Sequence, residues 1–212
     1  MSDTSARRPL KSRSTAWAQY FSRVMLKMGL RPNTVSLLSL VCAAGGGSAM
    51  LWAARIESAW LYWVLAATGV QLRLFCNMMD GMLAVEGGLK SATGELYNEI
   101  PDRIADAMIL VPLGYAVGTP IAIALSWAAA AGAVMTAYVR AVGASLTGKH
   151  DFCGPMAKPH RMFVTTLGCL GMAATGWTPL LMVTIAVINA GIVITVWRRV
   201  RHLAKVLHQR PS

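Results

Sequence analysis

The sequence predicts an all-α integral membrane protein, a six-helix transmembrane bundle with an N-terminal amphipathic surface helix. Three observations predict it. Of 212 residues, 55% are hydrophobic and 14% charged, against about 25% charged in an average soluble domain, and mean hydropathy is +0.50. Charge is also segregated: Val35–Ala54, Trp60–Arg73, Ala107–Ala137, Met162–Trp177 and Leu180–Trp197 are almost free of ionisable groups. No segment alternates apolar and polar residues as a barrel strand would, so the backbone has to satisfy itself within helices.

Taken in order, residues 1–31 form a cytoplasmic N-terminal segment in which Met1–Lys11 read as disordered. Thr15–Leu30 places Trp17, Phe21, Val24, Met25 and Met28 at helical spacing, with Arg23 and Lys27 elsewhere on the turn. That pattern suits a helix lying in the membrane interface. Six spans follow, near 33–54, 59–83, 93–117, 120–146, 161–177 and 180–198, each near the roughly 20 residues a bilayer requires. The second, third and fourth carry polar residues at their ends and so should protrude from the membrane. Residues 32–198 make one bundle, and 199–212 a basic cytoplasmic tail. The apolar run starts too late for a secretory signal. Cys42, Cys76, Cys153 and Cys169 show no ligand spacing and read as small core residues.

The net charge of +11 supplies orientation. Basic residues gather before the first span, around the loops joining spans two to three and four to five, and after the sixth. The other side has only Arg55, near Glu57. The positive-inside rule therefore puts both termini on the cytoplasmic side of the inner membrane. The basic residues flank spans without interleaved exposed aromatics, which argues against nucleic acid as a partner and for anionic lipid.

Six of the nine acidic residues lie within 27 positions: Asp80, Glu86, Glu95, Glu99, Asp102 and Asp106. Carboxylates in a membrane protein are costly, about 2.5–3.5 kcal/mol each at a span's centre, and rarely lack a task. At about 100° per residue, Arg73, Asn77, Asp80, Gly81 and Ala84 share one face of the second span. Glu95, Asn98, Glu99, Asp102 and Asp106 share one face of the third, with Arg103 at its edge. The short turn Glu86-Gly87-Gly88-Leu89-Lys90 would bring these faces together as a pocket of oxygen ligands suited to Mg²⁺, Mn²⁺ or Ca²⁺. Ion pairing with Arg73, Arg103 or Lys90 accounts for one or two of the acids, not for the whole stripe. The small residues Gly81, Ala84 and Gly94 either admit a flat ligand or allow close helix packing.

The run Asn77-Met-Met-Asp80-Gly81-Met-Leu-Ala84-Val85, then eight residues, then Gly94-Glu-Leu-Tyr-Asn98-Glu-Ile-Pro-Asp102 resembles the CDP-alcohol phosphotransferase signature, D-x-x-D-G-x-x-A-R-x8-G-x-x-x-D-x-x-x-D. The spacing matches throughout. Arg31-Pro32-Asn33-Thr34 at the start of the first span also resembles that family. Asn77 and Asn98 stand where the signature has its first and third aspartates, and Val85 where it has arginine. A bacterial subgroup is similar in having both asparagines and a later Gly-Pro-x-x-Lys-x-x-Arg, here Gly154-Pro-Met-Ala-Lys158-Pro-His-Arg161.

The resemblance implies a homodimeric transferase that moves a phosphatidyl group from CDP-diacylglycerol, or another CDP-alcohol, to an alcohol and releases CMP. It implies two cations, Mg²⁺ or Mn²⁺, on Asn77, Asp80, Asn98 and Asp102, with Asp106 supplying charge that the asparagines lack. Asp102 would be the catalytic base, with Asp106 beside it. Asn33, Asp80, Gly81, Ala84 and Gly94 would hold the CDP moiety. Arg140, Lys158 and Arg161 would bind a small, phosphorylated acceptor such as glycerol 3-phosphate or inositol phosphate. Two other readings stand beside this one. A non-catalytic descendant would bind CDP-lipid or cation without turnover. A transporter is disfavoured, because no internal repeat is visible and the acids gather at one membrane face.

Overall fold

The computed structural model describes residues 15–57, 59–89 and 93–209, without the Glu95 side chain. Met1–Lys11, Lys90 and any role for the Glu95 carboxylate lie outside the described residues. Those residues form seven helices and no strand: α1 (Ala16–Lys27), α2 (Pro32–Ala53), α3 (Trp60–Glu86), α4 (Gly94–Val117), α5 (Pro120–Thr147), α6 (Lys158–Thr175) and α7 (Pro179–His208). The expected spans are all helical, within a few residues at most ends. The exception is α7, which continues past residue 198 into the basic segment.

Local chemistry sets the boundaries. Pro occupies the first turn of α2, α5, α6 and α7, where its missing N–H is no loss. At α5 the Thr119 hydroxyl also accepts from the Ala122 N–H at 3.2 Å. Helices α4, α5 and α6 stop at Gly118, Gly148 and Gly176, each left-handed, a conformation open to glycine at little cost. Helix α4 continues through Pro101 and Pro112. Pro112 leaves the Met108 carbonyl without its i+4 donor, and that carbonyl faces Gly47 of α2. A Cβ there would lie 2.2 Å from the oxygen, so only glycine lets α2 approach. One position earlier, Gly46 meets Gly69 of α3 backbone to backbone. Helix α2 therefore packs closely on both α3 and α4, which touch one another over only a short stretch.

Polarity is distributed inside-out. Arg73, Arg161, Asp80, Asp102 and Asp106 are buried, whereas Leu37, Val41, Leu65, Ile121, Phe163 and Val193 are exposed. An apolar exterior this continuous marks contact with lipid or a partner. Helices α2, α5 and α7 are long and apolar enough to cross a membrane. Helices α3, α4 and α6 interleave with them at 27, 24 and 18 residues but carry the buried Arg73, Asp80, Asp102, Asp106 and Arg161. Exposed Trp52, Trp60, Tyr115 and Trp177 mark one end of the bundle and Trp197 the other. The helical stretch from Pro179 to Trp197 rises about 27 Å, close to the thickness of the hydrocarbon layer. Helix α1 docks through buried Ala18 and Ser22, with Trp17 stacked on Phe75 of α3 at 6.3 Å. Its outer face exposes Tyr20 and Met28.

Candidate functional site

The polar faces of α3 and α4 meet as the sequence predicts, in antiparallel register at the basic end of the bundle. Asn77 Nδ2 donates to Asn98 Oδ1 at 3.2 Å and to Asp102 Oδ1 at 2.9 Å. One turn deeper, Arg73 Nη2 reaches Asp102 Oδ1 at 3.3 Å and Asp106 Oδ1 at 2.9 Å. Asp80 is buried on the other side of this set, where its Oδ2 accepts from Ser36 Oγ of α2 at 2.6 Å. Among the described residues Asp80 pairs with no cationic side chain within 4 Å, unlike Asp102, Asp106 and Glu99. Asn33, Gly81, Ala84 and Gly94 are half-buried around the same end. Val85, at the signature's arginine position, is half exposed.

The third wall comes from α6, and contact between the α5–α6 loop and α7 sets its position. Gly154 has φ +108°, and a Cβ there would lie 2.6 Å from Thr195 Cγ2. The Met156 N–H then donates to Thr195 Oγ1 at 2.9 Å. This fixes the start of α6, so that Lys158 and Arg161, one turn apart, face α4 in parallel register. The Lys158 ammonium contacts Asn77 Oδ1 and Asp102 Oδ2. Arg161 Nη2 reaches Asp106 Oδ2 at 2.8 Å, while its Nη1 donates to the Met156 carbonyl at 2.9 Å. Arg140 of α5 holds Glu99 at 2.6 Å, and Arg103 lies 3.5 Å from Asp102 Oδ2.

Every described candidate residue thus lies at one end of the bundle, but the allocation differs from the sequence expectation. Ion pairing engages three acids, Glu99, Asp102 and Asp106. Asp106 is fully buried between two arginines. Arg161 is 1% exposed, and Arg140, Lys158 and Arg161 each hold an acid of α4. Sequence reasoning passed over Ser36. Its signal is the one-turn spacing from Asn33 on a span whose buried positions are otherwise small or apolar. It also passed over Thr195, whose pairing with Gly154 of the Gly-Pro-x-x-Lys-x-x-Arg run is long-range and leaves no local pattern.

No family model matches the chain. A bifunctional IPC transferase and DIPP synthase of Rubrobacter xylanophilus is 36% identical over 117 residues, which is 55% of this chain and 25% of that protein. The match thus spans about a quarter of that relative's length. An uncharacterized protein of Aquifex aeolicus is 30% identical over 184 residues, covering 85% of this chain and 86% of that one. Crystal structures of the Mycobacterium tuberculosis phosphatidylinositol phosphate synthase share the fold at 19% identity. The CDP-DAG-bound form has a TM-score of 0.72 over 87% of this chain and 92% of that one. The complex with manganese and citrate has 0.73 over 87% of each. The chain thus has the fold of these structures, and its α3 and α4 carry the spacing that resembles the CDP-alcohol phosphotransferase signature.

Proposed function

We propose that the chain moves a phosphatidyl group from CDP-diacylglycerol, or another CDP-alcohol, to an acceptor hydroxyl and releases CMP. The observation that carries this reading is the convergence of Asp80 and Asp102, at signature spacing, on one polar end of the bundle. The CDP-DAG complex of a structural neighbour supports the donor class, and the manganese complex supports a divalent cation. Asp80, with a carboxylate not spent on a cationic side chain, and the oxygens of Asn98 and Asp102 suit one hard ion. Such an ion, when bound, neutralises charge on the diphosphate and on departing CMP.

The chain's own residues orient and exclude water. Half-buried Gly81, Ala84 and Gly94 leave room for the flat cytidine, with Asn33 at the start of α2 beside them. Asp102 takes the proton of the acceptor hydroxyl on its carboxylate, and positioning carries most of the rate. Arg140, the half-buried cation at the rim, exchanges Glu99 for a phosphate on the acceptor. The same reading takes six spans, α2 to α7, with α1 lying on the membrane surface. It places both termini and the site on the cytoplasmic side of an inner membrane, in a homodimer, on the basic excess at that end and the resemblance together.

The test is CMP release by the purified chain with CDP-diacylglycerol, Mg²⁺ or Mn²⁺, and a panel of free and phosphorylated alcohols. Release that depends on Asp80 supports the reading. The asparagines at 77 and 98 favour a second one, a non-catalytic binder of CDP-lipid. Asp80-dependent CDP binding without turnover with any acceptor would select it.

A further inference from the structure

The number of cations is where this site departs from the signature it carries, and the argument rests on the CDP-alcohol reading above. Asn77 uses all its hydrogen-bonding groups: Nδ2 donates to Asn98 Oδ1 and Asp102 Oδ1, and Oδ1 accepts from Lys158. An amide can donate and accept in this way, whereas an ionised carboxylate only accepts. An aspartate at 77 would set oxygen against oxygen at both contacts, an arrangement that needs a bridging cation. With asparagine the two helices are joined without one.

The Lys158 ammonium touches Asn77 Oδ1 and Asp102 Oδ2 together. It therefore bridges the first and last positions of the signature from a helix outside it. Charge points the same way. Around the site, Asp80, Glu99, Asp102 and Asp106 face Arg73, Arg103, Arg140, Lys158 and Arg161. Among the described side chains, five cations against four carboxylates leave a surplus of one, which two divalent ions would raise to five. The unsatisfied buried atoms agree. Among the described residues those next to the acids are Arg73 Nε and Nη1, Arg103 Nε and Arg161 Nε, all donors, and no carboxylate oxygen is among them. A second metal would find an ammonium in its place.

We propose that the Lys158 ammonium holds the place of one of the two divalent cations the signature implies. The chain then takes up at most one divalent ion, on the Asp80 side, together with its diphosphate-linked nucleotide.

The experiment titrates the purified full chain with Mn²⁺ in the presence of CDP and counts bound ions by electron paramagnetic resonance. Wild type is expected to saturate at no more than one Mn²⁺ per chain with the spectrum of an isolated ion. The Asn77→Asp/Asn98→Asp/Lys158→Met variant is expected to take two and give the spectrum of a coupled pair. Lys158→Met alone, which keeps the Asn77 amide contacts, serves if the triple variant does not fold. It should bind CDP about tenfold more weakly, the loss of one charge-assisted contact, with no second ion gained. A coupled Mn²⁺ pair in wild type, or unchanged CDP affinity in Lys158→Met, overturns the inference and leaves the transferase reading standing. Wild type that binds no CDP withdraws both.

Discussion

Asp80 and Asp106 are both buried carboxylates on neighbouring helices, yet their surroundings are opposite. Asp106 sits between Arg73 and Arg161, each oxygen within 3 Å of a guanidinium nitrogen. Asp80 meets a serine hydroxyl at 2.6 Å and, among the described residues, no cationic side chain within 4 Å. A buried acid with two cations is a fastener, tying α3, α4 and α6 together at one point. A buried acid outside any ion pair keeps its charge available for a ligand that brings positive charge. Position in an acidic stripe does not separate the two, but their partners do.

The largest effect that would break this comparison is on Asp106. Asp106→Ala leaves buried Arg161 without an acid and Arg73 with Asp102 alone, and breaking a buried pair in that way costs about 3–5 kcal/mol. Folded protein recovered in detergent should fall sharply, as read by thermal unfolding. Wild-type stability in this variant would remove the fastener role.

Asp80→Asn should do the reverse. Serine can still donate to the amide oxygen, so the unfolding midpoint should move by no more than about 2–4 °C, the equivalent of ~1 kcal/mol in a chain this long. CMP release should drop about 10²–10³-fold, the scale of losing electrostatic stabilisation of the departing group. A variant that keeps its activity, or one that unfolds, would erase the contrast.

Ser36→Ala sharpens the Asp80 side. A hydrogen bond to a charged group contributes about 1.5–3 kcal/mol, so CDP affinity or turnover should fall at least about tenfold while the Asp106 fastener is untouched. Binding isotherms and CMP assays on the same preparation separate the two readouts.

The smallest effect concerns a third acid, outside the bundle. Burial alone would raise the Asp151 carboxyl. The Cys153 N–H at 2.8 Å and the His202 ring at 2.8 Å outweigh it and hold that carboxyl below the usual carboxylate range. Because the folded value lies below the unfolded one, the stabilisation is full above the ordinary carboxylate range. It is lost as pH falls through the lower folded value. Asp151→Asn should therefore flatten the acid limb of a stability–pH profile by less than about 1 kcal/mol, since His202 is largely exposed.

The helices were legible because apolar length, proline at the first turn and glycine at the stop are local signals, as at Pro120 and Gly118. The shared faces of α3 and α4 were legible because helical periodicity is fixed by backbone geometry. What no local pattern carried was the partner of each charge. Lys158 is 56 residues from Asp102 and Arg161 is 55 from Asp106. Their registration depends on Gly154 against Thr195, 41 positions apart in the chain. The sequence by itself determined a membrane bundle, its acidic stripe and the signature-like spacing within it, because periodicity and composition are properties of single helices. Only the tertiary structure decided which acid is a fastener, which is free for a ligand, and where Lys158 puts its charge. Those are properties of contacts between helices, set by close approaches such as Gly46 on Gly69 that act across the whole bundle.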